Sequence, residues 1–515
     1  MSVLLRWSLF LAMVGCSTPR LMAAPHQQTV RVVINSGPVI GRAYDGAQEF
    51  LGIPFAAPPT GDLRFRAPMP VSAWSTPRMA TQYGPSCPQL DTAGRLTVDE
   101  DCLNLNVWVP EGAGERLPSL VYLHGGAFYN GSGSEPRFHG ARLAKRARAI
   151  VVTVNYRLGP LGFMSHPAQA REQNLPVAPS NGLLDQQAAL SWVQRNIAAF
   201  GGDAGRVTLF GESAGAWSVC AQLASPGSRG LFSRAIVQSG ACSGALYFDG
   251  AAAATQAEAL SAALGCTGRE ALACLRAATP EALFAGLAPR RHMLLTPGVW
   301  WGPVVDGRVL PSLPMTALRN GEFAKVPLII GWNRDEGLIH TLGFSAVSQG
   351  EVDEFVRGVF GENAVAPVSA RYARADPKAA LTDIITDGIF ACGARRAARA
   401  VSQQGVPVFL YEFTHTLDAP RAHPLGATHS LELFFVFGNA DLGIELSPAE
   451  APLSALMMNA WGLHAATGSP SSGQTRWPAY TRERDEHLVL DLKPTVAAHL
   501  KQNECDFWET LSDGP

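Results

Sequence analysis

Val207-Thr208-Leu209-Phe210-Gly211-Glu212-Ser213-Ala214-Gly215 runs from an apolar, β-branched segment into a turn of small residues, and residues 216–223 continue as helix formers. A glycine-x-serine-x-glycine turn between a strand and a helix lifts the serine onto a sharp, strained corner, which only small flanking residues permit. In a chain with 51 glycines the bare pattern arises easily by chance. Its weight comes from occurring once and from standing where strand gives way to helix; the alternative is an ordinary glycine-rich turn.

Working outward, Tyr122-Leu123-His124-Gly125-Gly126-Ala127-Phe128 also follows a strand-like run and precedes the serine turn. Small residues there let backbone amides approach the oxygen of a tetrahedral intermediate. The expected donors are Gly126, Ala127 and Ala214, with His124 structural. Downstream, residues 326–331 form a strand-like run, and Trp332-Asn333-Arg334-Asp335-Glu336-Gly337 is the loop at its end. In chains with such a serine, the acid and then the histidine follow it in sequence, so the acid is Asp335 or Glu336. Beyond the strand-like run 406–413 lie His415, His423 and His429; the Gly-Ala-Thr-His-Ser turn around His429, before the apolar run 431–437, suits an imidazole fixed over strand ends.

Further runs at 117–122, 149–154, 206–210 and 235–238 are continuously apolar rather than alternating, as in parallel strands buried on both faces. Helical patterns such as 182–199 lie between them, predicting a parallel sheet between helices. Residues 28–35 and 49–53 read as early antiparallel strands, and 244–295 and 345–381 as helical insertions into one domain covering 25–515. Arg6, the apolar run 7–14 and the small residues near Ala23-Ala24 predict a signal peptide over 1–24 and a secreted or periplasmic protein. A lipoprotein box with an anchor at Cys16 is the alternative.

Charged residues make up only 16% of the chain, and 41 Lys+Arg stand against 43 Asp+Glu. That composition excludes disorder and leaves no basic footprint for nucleic acid. No run reaches the roughly 18 apolar residues of a membrane span. Neither a metal-binding motif nor a nucleotide-binding glycine loop in its proper context is present, so neither a metal nor a cofactor is expected. Nine cysteines, eight without Cys16, are disulfide candidates in an exported chain; eight allow 105 pairings.

The chain resembles the type-B carboxylesterases, the esterase–cholinesterase–lipase branch of the α/β-hydrolases, bacterial p-nitrobenzyl esterases among them. The resemblance runs from about residue 29 to 508. It rests on Phe50-Leu51-Gly52-Ile53-Pro54-Phe55-Ala56, Gly61-Asp62-Leu63-Arg64-Phe65-Arg66, Glu100-Asp101-Cys102-Leu103-Asn104-Leu105-Asn106-Val107-Trp108, Asn155-Tyr156-Arg157-Leu158-Gly159 and Phe200-Gly201-Gly202-Asp203, in order. It implies an α/β-hydrolase fold: a large, mostly parallel central sheet with helices on both faces and helical insertions. The implied catalytic residues are Ser213, Glu336 (chosen over Asp335) and His429, with Ser213 Oγ and Glu336 on opposite ring nitrogens. Implied disulfides are Cys87–Cys102, Cys266–Cys274 and Cys392–Cys505, and implied ion pairs are Arg64–Glu100 and Arg157–Asp185. Cys220 is then expected as an inert core thiol, and Cys242 is left open.

The expected reaction is hydrolysis of small carboxylic esters by water through an acyl-enzyme. The alternatives are a non-catalytic, cholinesterase-like adhesion protein, or an amide, lactone or polyester hydrolase using the same residues. The loop 91–100 is short and lacks aromatics, so a cation–π seat for choline is not expected. Trp300 and Trp301 are candidate walls of the acyl or alcohol pocket.

Overall fold

The computed structural model describes residues 28–90, 95–112, 114, 116–287 and 300–511. The expected signal peptide, Cys16 and residues 91–94 lie outside the described residues. The apolar runs form strands β1 (Thr29–Ile34), β2 (Gly37–Tyr44), β3 (Ala47–Pro54), β4 (Asn104–Pro110), β5 (Leu117–Leu123), β6 (Ile150–Val154), β7 (Gly202–Glu212), β8 (Arg234–Gln238), β9 (Leu328–Asn333), β10 (Val408–Phe413), β11 (Glu486–Leu490) and β12 (Thr495–Ala498). They join in the order β1-β2-β3-β4-β6-β5-β7-β8-β9-β10-β11-β12, and Arg78–Met79 adds a short pairing to β2. From β6 to β11 every neighbouring pair is parallel. The flanks β1 to β4 and β12 are antiparallel.

Alternation along these strands builds a core on each face of the sheet. Val121, Leu123, Val207, Leu209, Leu328 and Ile330 belong to one. Leu120, Tyr122, Phe210, Ile236 and Ile329 belong to the other. Of the helices α1 (Ala141–Ala147), α2 (Asn181–Asn196), α3 (Ala214–Ala224), α4 (Cys392–Gln403), α5 (Ala451–Thr467) and α6 (Gln502–Leu511), the first core takes Leu190 and Val193 of α2, Val219 of α3 and Val401 of α4. The second takes Leu143 of α1 and Met457 and Trp461 of α5. Burying each large side chain there stabilises the fold by roughly 1.5–3 kcal/mol.

The described part of 244–295 and the segment 345–381 are helical, with Gly250–Ala263 and Gln349–Phe360 their longest helices. Arg157 meets Asp185 at 2.7 Å and Arg64 meets Glu100, all four side chains nearly buried. Each arginine also donates to backbone carbonyls, Arg157 to Arg66 and Arg64 to Arg276. Segments apart in sequence, a helix among them, are held together through these two buried forks.

Among the described residues there are four disulfides: Cys87–Cys102, Cys266–Cys274, Cys392–Cys505 and Cys220–Cys242. The last corrects the expectation of a free Cys220. Gly240 sits so close to α3 that a Cβ there would lie 2.3 Å from the Ala216 Cβ. That approach carries Cys242, just past β8, to a Cα separation of 5.2 Å from Cys220. Cys392–Cys505 ties α4 to α6 across 113 positions, a loop whose closure limits the unfolded chain by up to about 4–5 kcal/mol on chain-entropy reasoning. The double variant Cys392→Ser/Cys505→Ser is expected to lose up to that much and to lower the calorimetric unfolding midpoint.

Register puts the carboxyl ends of the central strands at one rim. Leu123 of β5 pairs with Gly211, Glu212 with Gln238, and Gln238 with Gly331. Residues that follow β5, β7 and β9 therefore emerge together, at the edge where parallel α/β sheets place ligands.

Candidate active site

Ser213 caps α3 at φ 55°, ψ −126°, a left-handed corner that a non-glycine residue adopts only under restraint. Its amide donates to the Gln238 carbonyl at 3.0 Å, and its carbonyl accepts from Trp217 at 3.0 Å. The flanking glycines are steric requirements. A Cβ on Gly215 would lie 1.9 Å from the Leu123 carbonyl oxygen, and one on Gly211 would lie 2.5 Å from the Gly215 backbone.

The loop after β5 packs on this corner. A Cβ on Gly125 would lie 3.0 Å from the Ser213 Cβ and 2.7 Å from Glu212 Oε2. Gly126 (φ 99°), Ala127 and Phe128 (both φ 60°) turn the backbone through the left-handed region. The Gly126 carbonyl accepts from Tyr129 and Asn130. Among the described residues, the amides of Gly126, Ala127 and Ala214 donate to no other element. His124 is buried, stacks on Tyr156 at 4.4 Å, and places Nδ1 2.8 Å from the Gly125 carbonyl. Burial pushes its pKa down to about 4, so it serves the loop as a neutral ring.

At the end of β9 the two acids separate. Glu336 is fully buried: Oε1 accepts the Asn333 amide at 2.8 Å, and Oε2 lies 2.6 Å from His429 Nδ1. Asp335 is partly exposed, pairs with Arg334 at 2.8 Å, and accepts the Ala427 amide at 2.8 Å. It thereby pins the turn that carries His429. Of the other histidines in this region, His415 is held between Asp491 and Glu450, and His423 lies on an exposed turn.

His429 is 7% exposed, and its Nε2 faces Glu212 Oε1 at 3.2 Å. Ser213 Oγ makes no hydrogen bond to another described residue. The Ser213 to His429 bond anticipated from the sequence is therefore open here, with the neighbouring carboxylate facing the ring instead. Ser430 Oγ donates to the same Glu212 oxygen at 2.5 Å. Glu432, also buried, accepts from Asn333 Nδ2 at 2.6 Å and Gln238 Nε2 at 3.1 Å. Three carboxylates thus surround one imidazole out of water. Burial lowers the His429 pKa, but the charges of Glu212 and Glu336 outweigh it and push it up to about 9. Burial raises the carboxyl pKa of Glu212, opposed by His429, and likewise that of Glu432, where the charges of Glu212 and Glu336 add to it. His340 and Phe390 close one side, with ring centroids 5.2 and 5.1 Å from His429.

Residues 28–508 match the carboxylesterase family. The chain is 38% identical to the para-nitrobenzyl esterase of Bacillus subtilis over 487 residues, which are 90% of this chain and 95% of that protein. It is 35% identical to a cholinesterase of Mus musculus, over 93% of this chain and 85% of the other. A solved PNB esterase superposes with a TM-score of 0.84 at 36% identity, covering 93% of this chain and 99% of that one. The chain belongs to the carboxylesterase family. It has the α/β-hydrolase fold and is a carboxylic-ester hydrolase.

Glu432, Asn333 and Ser430 were missed by sequence reasoning. The available signal for Glu432 was a single carboxylate inside the apolar run 431–437. Trp300 and Trp301 are buried and, with Phe163 and Phe248, border a narrow gap. Phe163 in turn packs on Phe128 at 4.9 Å.

Proposed function

We propose that this member of the family is a secreted serine esterase whose mature chain, from residue 25, forms one catalytic domain. In this reading Ser213 is the nucleophile, His429 the general base and acid, and Glu336 the orienting acid. The observation that carries the reading is the 2.6 Å contact of Glu336 Oε2 with His429 Nδ1, which leaves Nε2 as the ring nitrogen free to take a proton, 3.2 Å from Glu212 next to Ser213 in the chain. Ser213 Oγ attacks the ester carbonyl while Nε2 takes its proton, and the Glu336 carboxylate stabilises the imidazolium. The amides of Gly126, Ala127 and Ala214 receive the oxyanion; losing one such donor typically costs ~10²–10³ in turnover. The alcohol leaves with the proton from Nε2, and water cleaves the acyl-enzyme by the same route.

Export is supported by four disulfides, which persist in oxidising compartments. Among the described residues no helix is long and apolar enough to cross a membrane. A panel of p-nitrophenyl esters of increasing acyl length, with one anilide and one choline ester, tests the assignment. Rapid cleavage of a short p-nitrophenyl ester and slow cleavage of the anilide and choline ester are expected. Preference for the choline ester or the anilide would contradict it.

Glu212 acts on the imidazole through charge. The acidic limb of kcat/KM reports His429 losing its proton, within a coupled cluster, and is expected above the ordinary histidine value of 6.5. Glu212→Gln removes one negative charge beside the imidazolium, so the protonated ring becomes less stable and the limb moves to lower pH. A pH profile of kcat/KM for wild type and variant measures this.

A further inference from the structure

Behind the π-helical segment Ile385–Ala391 lies a second cavity, of about 240 Å³. Phe390 of that segment faces His429, whereas Gly388 lines the cavity. A Cβ on Gly388 would lie 2.7 Å from the Trp508 ring and 2.8 Å from Phe360, so glycine is what lets these walls meet. Met315, Phe360, Trp508 and Leu511 make much of the lining apolar.

Two polar side chains at this cavity have a buried atom without a hydrogen-bond partner among the described residues. Arg396, on α4, has its Nε out of solvent and without a hydrogen-bond partner among the described residues, and no ion pair there holds its guanidinium. Ser243 Oγ, next to the Cys220–Cys242 bridge, is likewise buried and unpartnered. Its neighbour Arg399 is satisfied by Glu509 at 2.5 Å. Burial and the like charge of Arg319 push the Arg396 guanidinium down to about 10, against the opposing charge of Glu509. Arg319 and Arg396 also line an adjoining groove with Arg399, Arg482 and the one carboxylate Glu509, which leaves an anion a net positively charged approach.

A half-buried guanidinium whose Nε is shut off from water without an acceptor carries an unmet donor, and an anion that brings its own acceptor oxygens removes that cost. The planar guanidinium fork matches a carboxylate in two parallel hydrogen bonds, and the apolar lining suits a hydrocarbon tail. We propose that this cavity, separate from the catalytic rim, binds the carboxylate of an apolar carboxylic acid on Arg396 and Ser243. Such acids are the class of product that ester hydrolysis releases.

Calorimetric titration of octanoate, 1-octanol and inorganic phosphate into the full chain, with the catalytic serine blocked by a phosphonate and the adduct verified by mass, tests this. Octanoate is expected to bind wild type at one site, and at least tenfold more weakly to Arg396→Met. Octanol and phosphate should each bind wild type at least tenfold more weakly than octanoate, a comparison that needs no variant. Unblocked Arg396→Met should keep wild-type kcat for p-nitrophenyl butyrate within twofold. No octanoate binding to wild type, equal binding to Arg396→Met, or octanol or phosphate matching octanoate would overturn the proposal.

Discussion

Ser213→Ala is expected to lower kcat for p-nitrophenyl butyrate by on the order of 10⁵–10⁶-fold, the scale seen when a serine nucleophile is removed. The thermal unfolding midpoint should scarcely move. The Ser213 backbone, not its hydroxyl, makes the hydrogen bonds to Gln238 and Trp217 that hold the corner. Ser213 Oγ has no partner among the described residues whose loss could destabilise the fold. Alanine also accepts the left-handed φ about as poorly as serine does, so the strain of the corner is unchanged. A large kinetic loss with little thermal change separates a chemical role from a structural one. Stopped assays with purified variant, paired with a calorimetric scan, read both quantities.

Glu336→Gln is expected to cost about 10⁴-fold, and the local hydrogen bonds say why. Glu336 Oε1 accepts the Asn333 amide, while Oε2 meets His429 Nδ1. A glutamine must keep its carbonyl oxygen on the Asn333 N–H, because that donor is buried and has no other acceptor there. Its NH₂ then points at His429 Nδ1, which must become an acceptor. The ring proton is driven to Nε2, the atom that has to take the proton of Ser213. Wrong tautomer at intact geometry carries a penalty of about this size in serine hydrolases. Losing the carboxylate also destabilises the imidazolium, so the acidic limb of the residual activity moves to lower pH. Retention of more than a tenth of wild-type kcat/KM would contradict this role.

How much of this was legible before the fold was known depends on whether the information was local. The strands at the centre of the sheet announce themselves as continuous apolar runs because both of their faces are buried. The serine corner is legible because its flanking glycines answer a steric demand, a Cβ at Gly215 being 1.9 Å from the Leu123 carbonyl. By contrast, β4 alternates apolar residues with Asn104 and Asn106, whose side chains bond Pro85 and Thr153, and β11 opens with Glu486 and His487. Neither has the continuous apolar run of a central strand. The Cys220–Cys242 bridge depends on how closely the loop after β8 approaches α3, a tertiary fact. The choice between Asp335 and Glu336 was open from residue types and order alone, and it took family resemblance to make it. The structure gives each carboxylate a distinct set of bonds, one to His429 and one to the Ala427 amide. Glu432 belongs to the site through Asn333 and Gln238, contacts made across 99 and 194 positions.

The most direct test is to treat the full chain with a fluorophosphonate at neutral pH, then digest it and locate the adduct by mass. One adduct per chain, on the peptide containing Ser213, formed in step with loss of esterase activity and greatly slowed in His429→Ala, is the predicted result. An adduct on another residue, or full ester turnover with Ser213 quantitatively modified, would contradict it.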